Sequence, residues 1–289
     1  MTTYSTNSRW KHTTDAEYQE WVQEWHDILI GVGLTQTSDT GQYATSPVTL
    51  TRPAVNTLST GYLIYRFNDT LQATAPIFMK FRFGTGASLT NRPQIYYEVG
   101  TGTDGSGNIT GLIRAGVMIN GYSADVETAY PSDACYSAAA GFFGLSWKGQ
   151  SNGFTFFMVA RSCDSNGSPT GVGALFFHGE TSTSFIVQHY DYVDVVTQNG
   201  SYITAPFCCA YGNYGNIADD NGDTPVYLCY VAVPQPQPLI GLCGLANGGL
   251  AHGGTFSTTL FGATPHTYMY INNANVGASG SYFACMLWE

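Results

Sequence analysis

Residues Gly61–Gly86, GYLIYRFNDTLQATAPIFMKFRFGTG, carry the clearest fold signal in the chain. Two runs of alternating side chains flank one polar connection. In the first run, one set of residues alternates with another: Leu63, Tyr65 and Phe67 with Tyr62, Ile64 and Arg66. The second run alternates in the same way, with Ile77, Met79, Phe81 and Phe83 on one side and Phe78, Lys80 and Arg82 on the other. Period-two alternation rich in aromatic residues predicts two half-buried antiparallel strands.

The same theme continues along the rest of the chain, where short strand-like runs are separated by Gly, Asn, Asp and Ser turns. Many strands at short spacing predict an all-β fold, an antiparallel β-sandwich or jelly-roll-like domain. We expect an N-terminal arm over residues 1–45 and a β-rich domain over 46–289, with a division into two subdomains near 162–170. Prolines at 234, 236 and 238 predict an edge strand or a crossing connection there.

Residues 14–30 give the one clear helical signal. Thr14-Asp15-Ala16-Glu17 matches a capping box, and Gly31 is the predicted C-terminal stop. An apolar face follows at helical spacing, formed by Tyr18, Trp21, Val22, Trp25, Ile28 and Leu29.

This aromatic face has two interpretations. It packs on the β-domain of its own chain, or it docks into another subunit as an assembly arm. In the second case the partner-binding residues are Tyr18, Trp21, Val22 and Trp25. The sequence leaves both open.

Charged residues make up only 10 % of the chain, against about 25 % in an average soluble domain. Twenty Tyr and sixteen Phe accompany this low charge. Interface cores are poor in charge and rich in aromatic side chains. The composition therefore favours a homo-oligomer whose surface is partly covered by identical copies.

The few charges are also unevenly distributed. Residues 162–289 contain no Lys or Arg and eight acids, so phosphate contacts by this part are excluded and nucleic acid is not an expected partner. No run of about 18 apolar residues occurs, so a membrane span is not expected either. The polar N-terminus predicts synthesis in the cytoplasm without a secretory signal.

Seven cysteines without any C-x-x-C pair disfavour a zinc site. Buried free thiols in a reducing cytosol are the main interpretation. A disulfide that forms after assembly or cell lysis is the alternative.

No catalytic residue is predicted, and an enzyme is not expected. Residues Gly100–Gly105, GTGTDG, match G-x-G-x-x-G, but a dinucleotide fingerprint requires a helix next. Here a further strand-like run follows, which predicts a Gly-rich hairpin. The sequence also lacks a P-loop, a G-x-S-x-G elbow and an H-E-x-x-H motif.

Three acidic turns are candidates for calcium, around residues 104–108, 164–167 and 219–223. Calcium takes several oxygen ligands, and the best set is Asp219, Asn221 and Asp223. Turn chemistry by the same side chains is the competing explanation. Apart from this calcium candidate, no cofactor is expected.

A glycan-binding candidate occurs in the run YGNYGN at 211–216, where aromatic rings alternate with amides. Its residues are Tyr211, Asn213 and Tyr214. An aromatic segment packed in an interface explains the run equally well.

Two segments carry a resemblance to a known class of proteins. GLTQTSDTGQ at Gly33–Gln42 and YRFNDTLQATAPIFMK at Tyr65–Lys80, with VGTGTDG at Val99–Gly105, resemble virion structural proteins of tailed bacteriophages that begin with a Trp-rich helix. The resemblance covers residues 1–120.

This resemblance implies a structural subunit of the virion, located in the tail, the neck and collar, or the head surface as a capsid decoration. Its implied partners are other virion proteins and copies of itself. It brings no catalytic residues. The alternatives are a host-receptor module that binds carbohydrate on the tail and, less favoured, a polysaccharide depolymerase.

Overall fold

The computed structural model describes residues 1–8, 14–45, 47–54, 57–58, 61–85, 93–120, 130–148, 154–179, 185–191, 226–231, 237–245, 253–259, 264–273 and 282–288. These residues form one N-terminal helix and three mostly antiparallel sheets. The predicted all-β class, consistent with a β-sandwich, is therefore confirmed.

The chain divides into two compact units. The first unit is Tyr4–Ala134, and the second comprises Met1–Thr3 and Cys135–Glu289. The predicted division near 162–170 lies at a hairpin between two paired strands, and it stays a prediction. The helix and the sheet that follows it belong to the same compact unit.

The first unit contains α1 and the first sheet. Its elements are α1 (Asp15–Gly31), β2 (Thr35–Gln36), β3 (Leu63–Arg66), β4 (Phe78–Thr85), β5 (Pro93–Thr103) and β6 (Ile109–Asn120). The strands lie in the order β2-β3-β4-β5-β6, so each strand pairs with its neighbour in sequence. The fold signal at Gly61–Gly86 thus forms β3 and β4 near the middle of this sheet.

Both ends of α1 are closed by specific caps. The predicted capping box is confirmed, since the Thr14 hydroxyl accepts from the Glu17 N–H and the Glu17 carboxylate accepts from the Thr14 N–H. The predicted stop at Gly31 is wrong by two residues. Gly33 has φ +104°, and its N–H donates to the Ile30 carbonyl; a positive φ is the conformation that favours glycine after a helix.

Within the described residues, no helix combines the length and apolarity that a membrane crossing needs.

One face of the first sheet forms a dense aromatic core. In the second run the predicted inward residues are fully buried: Ile77, Met79, Phe81 and Phe83. In the first run Ile64, on the opposite side from Leu63 and Tyr65, is fully buried as well. Opposite residues in an antiparallel pair share a face. Leu63 and Tyr97 both lie opposite Phe81 in register and are equally buried. We call this side the inner face, and the side with Lys80 and Arg82 the outer face.

The second and third sheets contain the remaining strands. The second sheet has the order β1 (Thr2–Ser8), β7 (Tyr130–Ser137), β8 (Phe142–Lys148), β9 (Phe154–Cys163), β10 (Pro169–Gly179) and β11 (Phe185–Asp191). The third has the order β12 (Val226–Val231), β13 (Gln237–Leu245), β16 (Tyr282–Leu287), β15 (His266–Asn273) and β14 (Thr255–Thr258).

Strands of these two sheets pack against each other in the second unit. Gly144 in β8 has no side chain, and its backbone leaves space for the Met286 sulfur of β16, which lies 2.9 Å from where a Cβ would stand. Both residues are buried, and so is Phe142 beside them. This face-to-face contact of two sheets is the arrangement of a β-sandwich.

Pro238 does not mark an edge strand, and Pro234 and Pro236 lie outside the described residues. Strand β13 lies between β12 and β16, which makes it an inner strand. Pro238 pairs with Tyr230 on β12, whereas the pairing with β16 begins at Leu242. Pro238 therefore lies where β13 pairs with β12 but not with β16, so its lack of a backbone N–H removes no hydrogen bond to β16.

Candidate functional site

The aromatic face of α1 is buried against the chain's own inner face. Tyr18 and Val22 are fully buried, and Trp21 and Trp25 are 3 % and 6 % exposed. The Trp21 ring meets the Phe83 ring edge-on, with centroids 5.5 Å apart. In the folded subunit these four residues thus pack on the chain's own β-sheet, as the first interpretation expects, and their partner-binding role stays a prediction.

Two hydrogen bonds further fix the helix on the sheet. The Tyr18 hydroxyl donates to the Gly84 carbonyl at 2.9 Å, and burial raises the pKa of this phenol well above its ordinary value. One helical turn beyond Val22, His26 Nδ1 lies 2.8 Å from the Tyr65 hydroxyl. Burial lowers the pKa of His26, although Asp27 opposes the shift, and burial raises the pKa of Tyr65. The histidine is therefore neutral in the folded chain near neutral pH.

Because of His26, we expect the free energy of unfolding to decrease in acid. Its pKa is lower in the folded state than the value of about 6.5 in the unfolded chain, so the unfolded state binds more protons as the pH falls. The contribution of neutral His26 to stability is present above about pH 6.5, and it is lost as the pH falls through that value toward the pKa of His26 in the folded state. Urea unfolding at about pH 8 and pH 5 measures the loss.

The matched variant is His26→Gln, which keeps a polar side chain beside Tyr65 but does not titrate. Its stability should fall less between the two pH values than that of the wild type. His266 also has a pKa lowered by burial and remains in both proteins as a shared background. An identical pH dependence of wild type and variant would contradict the assignment to His26.

The outer face carries an ion pair at its centre. Lys80 and Glu98 lie directly opposite each other on β4 and β5, and their charged atoms are 3.0 Å apart. The lysine side chain is only 10 % exposed and the glutamate 33 %. The Lys80 ammonium also lies 4.7 Å from the centre of the Tyr62 ring. Carboxylate and aromatic face together compensate an ammonium that is largely removed from water.

The next pair on the outer face is Arg82 opposite Tyr96. The Tyr96 hydroxyl donates to the Gln94 side-chain oxygen at 2.5 Å. Burial raises the pKa of Tyr96, and the positive charge of Arg82 opposes this shift. We call Tyr62, Lys80, Arg82, Tyr96 and Glu98 the outer-face cluster.

Tyr62 connects this cluster to two loops. Its hydroxyl bonds the Thr40 carbonyl and lies 3.1 Å from the Ser106 carbonyl. Burial raises the pKa of Tyr62, and the negative charges of Asp39 and Asp104 add to the shift. The phenol is therefore held in its protonated, donating form.

Further hydrogen bonds join the same two loops directly. The Thr40 N–H donates to the Gly105 carbonyl at 3.0 Å, and the Gly107 N–H donates to the Asp39 carboxylate at 3.3 Å. Asp39 is 8 % exposed. We call this set of contacts the loop clamp, in which residues 37–42 are held to the turn 104–108 between β5 and β6.

The turn 104–108 is the predicted Gly-rich hairpin. One Asp104 carboxylate oxygen accepts from the N–H groups of Ser106 and Asn108, and the other accepts from the Asn108 amide at 2.6 Å. These hydrogen bonds lower the pKa of Asp104, and the bond from the Asn108 side-chain amide contributes most. Both oxygens are thus used as turn acceptors, which is the turn-chemistry explanation of this acidic loop.

The turn 164–168 repeats this pattern on β9 and β10. An Asp164 carboxylate oxygen accepts from the N–H groups of Asn166 and Ser168, at 2.8 and 2.9 Å. The two turns share the sequence Asp-x-Ser/Asn-Gly-Asn/Ser. Turn capping therefore accounts for the acidic residue in both.

The remaining predicted site residues lie outside the described residues. These are the glycan candidates Tyr211, Asn213 and Tyr214 and the calcium candidates Asp219, Asn221 and Asp223. Within the part of the chain that the structure describes, no three His, Cys, Asp or Glu side chains gather as metal ligands would.

The outer-face cluster and the loop clamp are suited to holding structure. The lysine is neutralised by a carboxylate, and the tyrosine hydroxyls donate to neighbouring oxygens. Sequence reasoning placed Lys80 and Arg82 on this face but missed their partners. The available signal was the alternation in β5, which puts Tyr96 and Glu98 on one side of the strand.

Comparison of the chain with protein-family models, with curated proteins and with solved structures finds no match.

Proposed function

We propose that this chain is a structural subunit of a tailed-bacteriophage virion, built into the tail, the neck and collar, or the head surface. The observation that carries the proposal is the location of the two segments that resemble such proteins. Gly33–Gln42 contains β2 and the clamped loop, and Tyr65–Lys80 contains the second half of β3, the connection that follows it and the start of β4. The resemblance therefore falls on residues that build the first sheet.

The use of polar groups in this region supports a structural role. Among the charged and hydroxyl groups of the outer face and loop clamp, four are bonded within the chain: Lys80, Glu98, Tyr62 and Asp39. A catalytic group needs a free donor or acceptor aimed at a substrate. Groups bonded in this way instead stabilise one arrangement of sheet and loops. An assembling subunit requires such a rigid surface.

The proposed partners are copies of this chain and other virion proteins. Low charge over the whole chain supports this part of the proposal. Strand β6 lies at one end of the first sheet, and its Leu112 is 49 % exposed. An exposed aliphatic side chain on an edge strand is a feature that assembly would cover.

Mass spectrometry of purified phage particles that encode this sequence tests the proposal. We expect peptides of the chain in amounts comparable to known virion proteins, and at a copy number set by the symmetry of the part that contains it. Trypsin reports only residues 1–161, because 162–289 contain no Lys or Arg. A second protease therefore has to cover the rest.

The infected cell lysate is the control for these measurements. A chain that is abundant in the lysate but absent from washed particles would refute the virion role. Incubation of the purified chain with host surface polysaccharide distinguishes the two alternative functions, a depolymerase and a receptor-binding module. Released oligosaccharide would replace the proposal with a depolymerase, and binding without release would replace it with a receptor-binding module.

A further inference from the structure

Two of the seven cysteines lie directly opposite each other in the third sheet. Cys243 on β13 pairs with Cys285 on β16, between the pairs Leu242–Met286 and Gly244–Ala284. Directly opposite residues of an antiparallel ladder have Cα atoms about 4.5–5.5 Å apart. A disulfide spans about 4.4–6.8 Å between Cα atoms. The backbone register thus places the Cα atoms of this pair in the range that a disulfide spans.

The surroundings of Cys285 favour this partner. Cys285 is a buried free thiol. On the opposite side of β16, the residue paired with Cys285 is Tyr270 in β15, so this neighbouring strand offers no thiol opposite Cys285. Cys135 also lies close to β16, since its thiol donates to the Leu287 carbonyl two residues further along that strand. That thiol is directed at the backbone of β16, whereas Cys243 stands opposite Cys285 in register.

We propose that Cys243 and Cys285 form a cross-strand disulfide when the protein meets an oxidising small-molecule disulfide such as oxidised glutathione. One cysteine thiolate attacks the glutathione disulfide, which forms a mixed disulfide and releases one glutathione. The second thiolate attacks the protein sulfur of that mixed disulfide, forms the Cys243–Cys285 bond and releases the second glutathione. The two cysteines are oxidised, and the glutathione disulfide is reduced to two thiols.

Cell lysis would move this cysteine pair from the reducing cytosol to oxidising surroundings. Thiols stay reduced in the cytosol, and disulfides persist outside it. Because Cys285 is buried, oxidation requires local opening of the β13–β16 pairing, so the reaction is slow in the folded chain. Once formed, the bond links an inner strand of the third sheet to the strand nearest the C-terminus. This inference does not depend on the proposed function.

Thiol titration in denaturant, before and after incubation with oxidised glutathione, tests the proposal. The reduced chain has seven thiols, and the oxidised chain should have lost two of them. Digestion with chymotrypsin under non-reducing conditions should yield one linked peptide pair that contains Cys243 and Cys285. The oxidised protein should melt roughly 5 °C higher than the reduced one, and dithiothreitol should abolish the difference.

Serine variants test whether the disulfide joins Cys243 to Cys285. Cys243→Ser and Cys285→Ser should each retain their thiols on oxidation and show no rise in melting temperature. Cys163→Ser is the matched control, since it removes another buried thiol from a different sheet and should still lose two thiols. If Cys285 links to Cys135 or to any other cysteine, or if wild type keeps all its thiols at long incubation, the proposal is wrong.

Discussion

Replacement of Trp21 with Ala should lower the free energy of unfolding of the isolated subunit by about 3–5 kcal/mol. The indole is 3 % exposed and lies edge-on to both Tyr18 and Phe83, with ring centroids 5.4 and 5.5 Å away. Truncation removes a large apolar surface and leaves a cavity between α1 and β4. Urea denaturation followed by circular dichroism measures the loss.

Ile30→Ala is the matched control on the same helix. Ile30 is 40 % exposed, so the truncation should change stability by less than about 1 kcal/mol. The comparison also separates the two interpretations of the helix. A Trp21→Ala chain that keeps wild-type stability but no longer assembles would show that the indole serves a partner, and would contradict the packing of α1 on its own sheet.

The elements that sequence predicted correctly depend on local signals. A capping box acts over four residues, and period-two alternation is complete within one strand. Both were sufficient to locate α1, β3 and β4. The two-residue error at the end of α1 has a local cause as well. Gly31 and Gly33 are both available as stops, and only the backbone angle at Gly33 distinguishes them.

The loop clamp could not be predicted because its contacts join residues far apart in sequence. Tyr62 and Ser106 meet only after β3, β4 and β5 have paired in register. The unit boundary after Ala134 depends on the same kind of information. Strand β7, YPSDACYS, could not be predicted for a different reason. Its polar residues and proline suppress the alternation that identifies a strand, although Ala134 and Cys135 within it are fully buried.

Gly107→Ala should disrupt the loop clamp and lower the free energy of unfolding by about 3–4 kcal/mol, from strain and lost hydrogen bonds together. Gly107 has φ +91°, which costs an alanine about 1–2 kcal/mol. A Cβ at this position would also lie 1.7 Å from the Tyr62 hydroxyl oxygen. The phenol would have to leave the carbonyls of Thr40 and Ser106, and each of these lost hydrogen bonds costs about 0.5–1.5 kcal/mol.

Gly105→Ala is the control within the same turn. Gly105 also has a positive φ, of +76°, but nothing lies within 4 Å of its missing Cβ. This variant should show only the backbone strain of about 1–2 kcal/mol. The difference between the two alanine variants therefore isolates the contact with Tyr62.

A double-mutant cycle tests whether that contact is the cause. Tyr62→Ala removes the ring that a Cβ at Gly107 would meet, so the two substitutions together should cost less than the sum of their separate effects. The expected coupling is about 1–3 kcal/mol, in the range found for residues in contact. Unfolding midpoints of the two single variants and the double variant give this coupling. Additive effects, or equal losses for Gly105→Ala and Gly107→Ala, would show that Tyr62 does not hold the turn against residues 37–42.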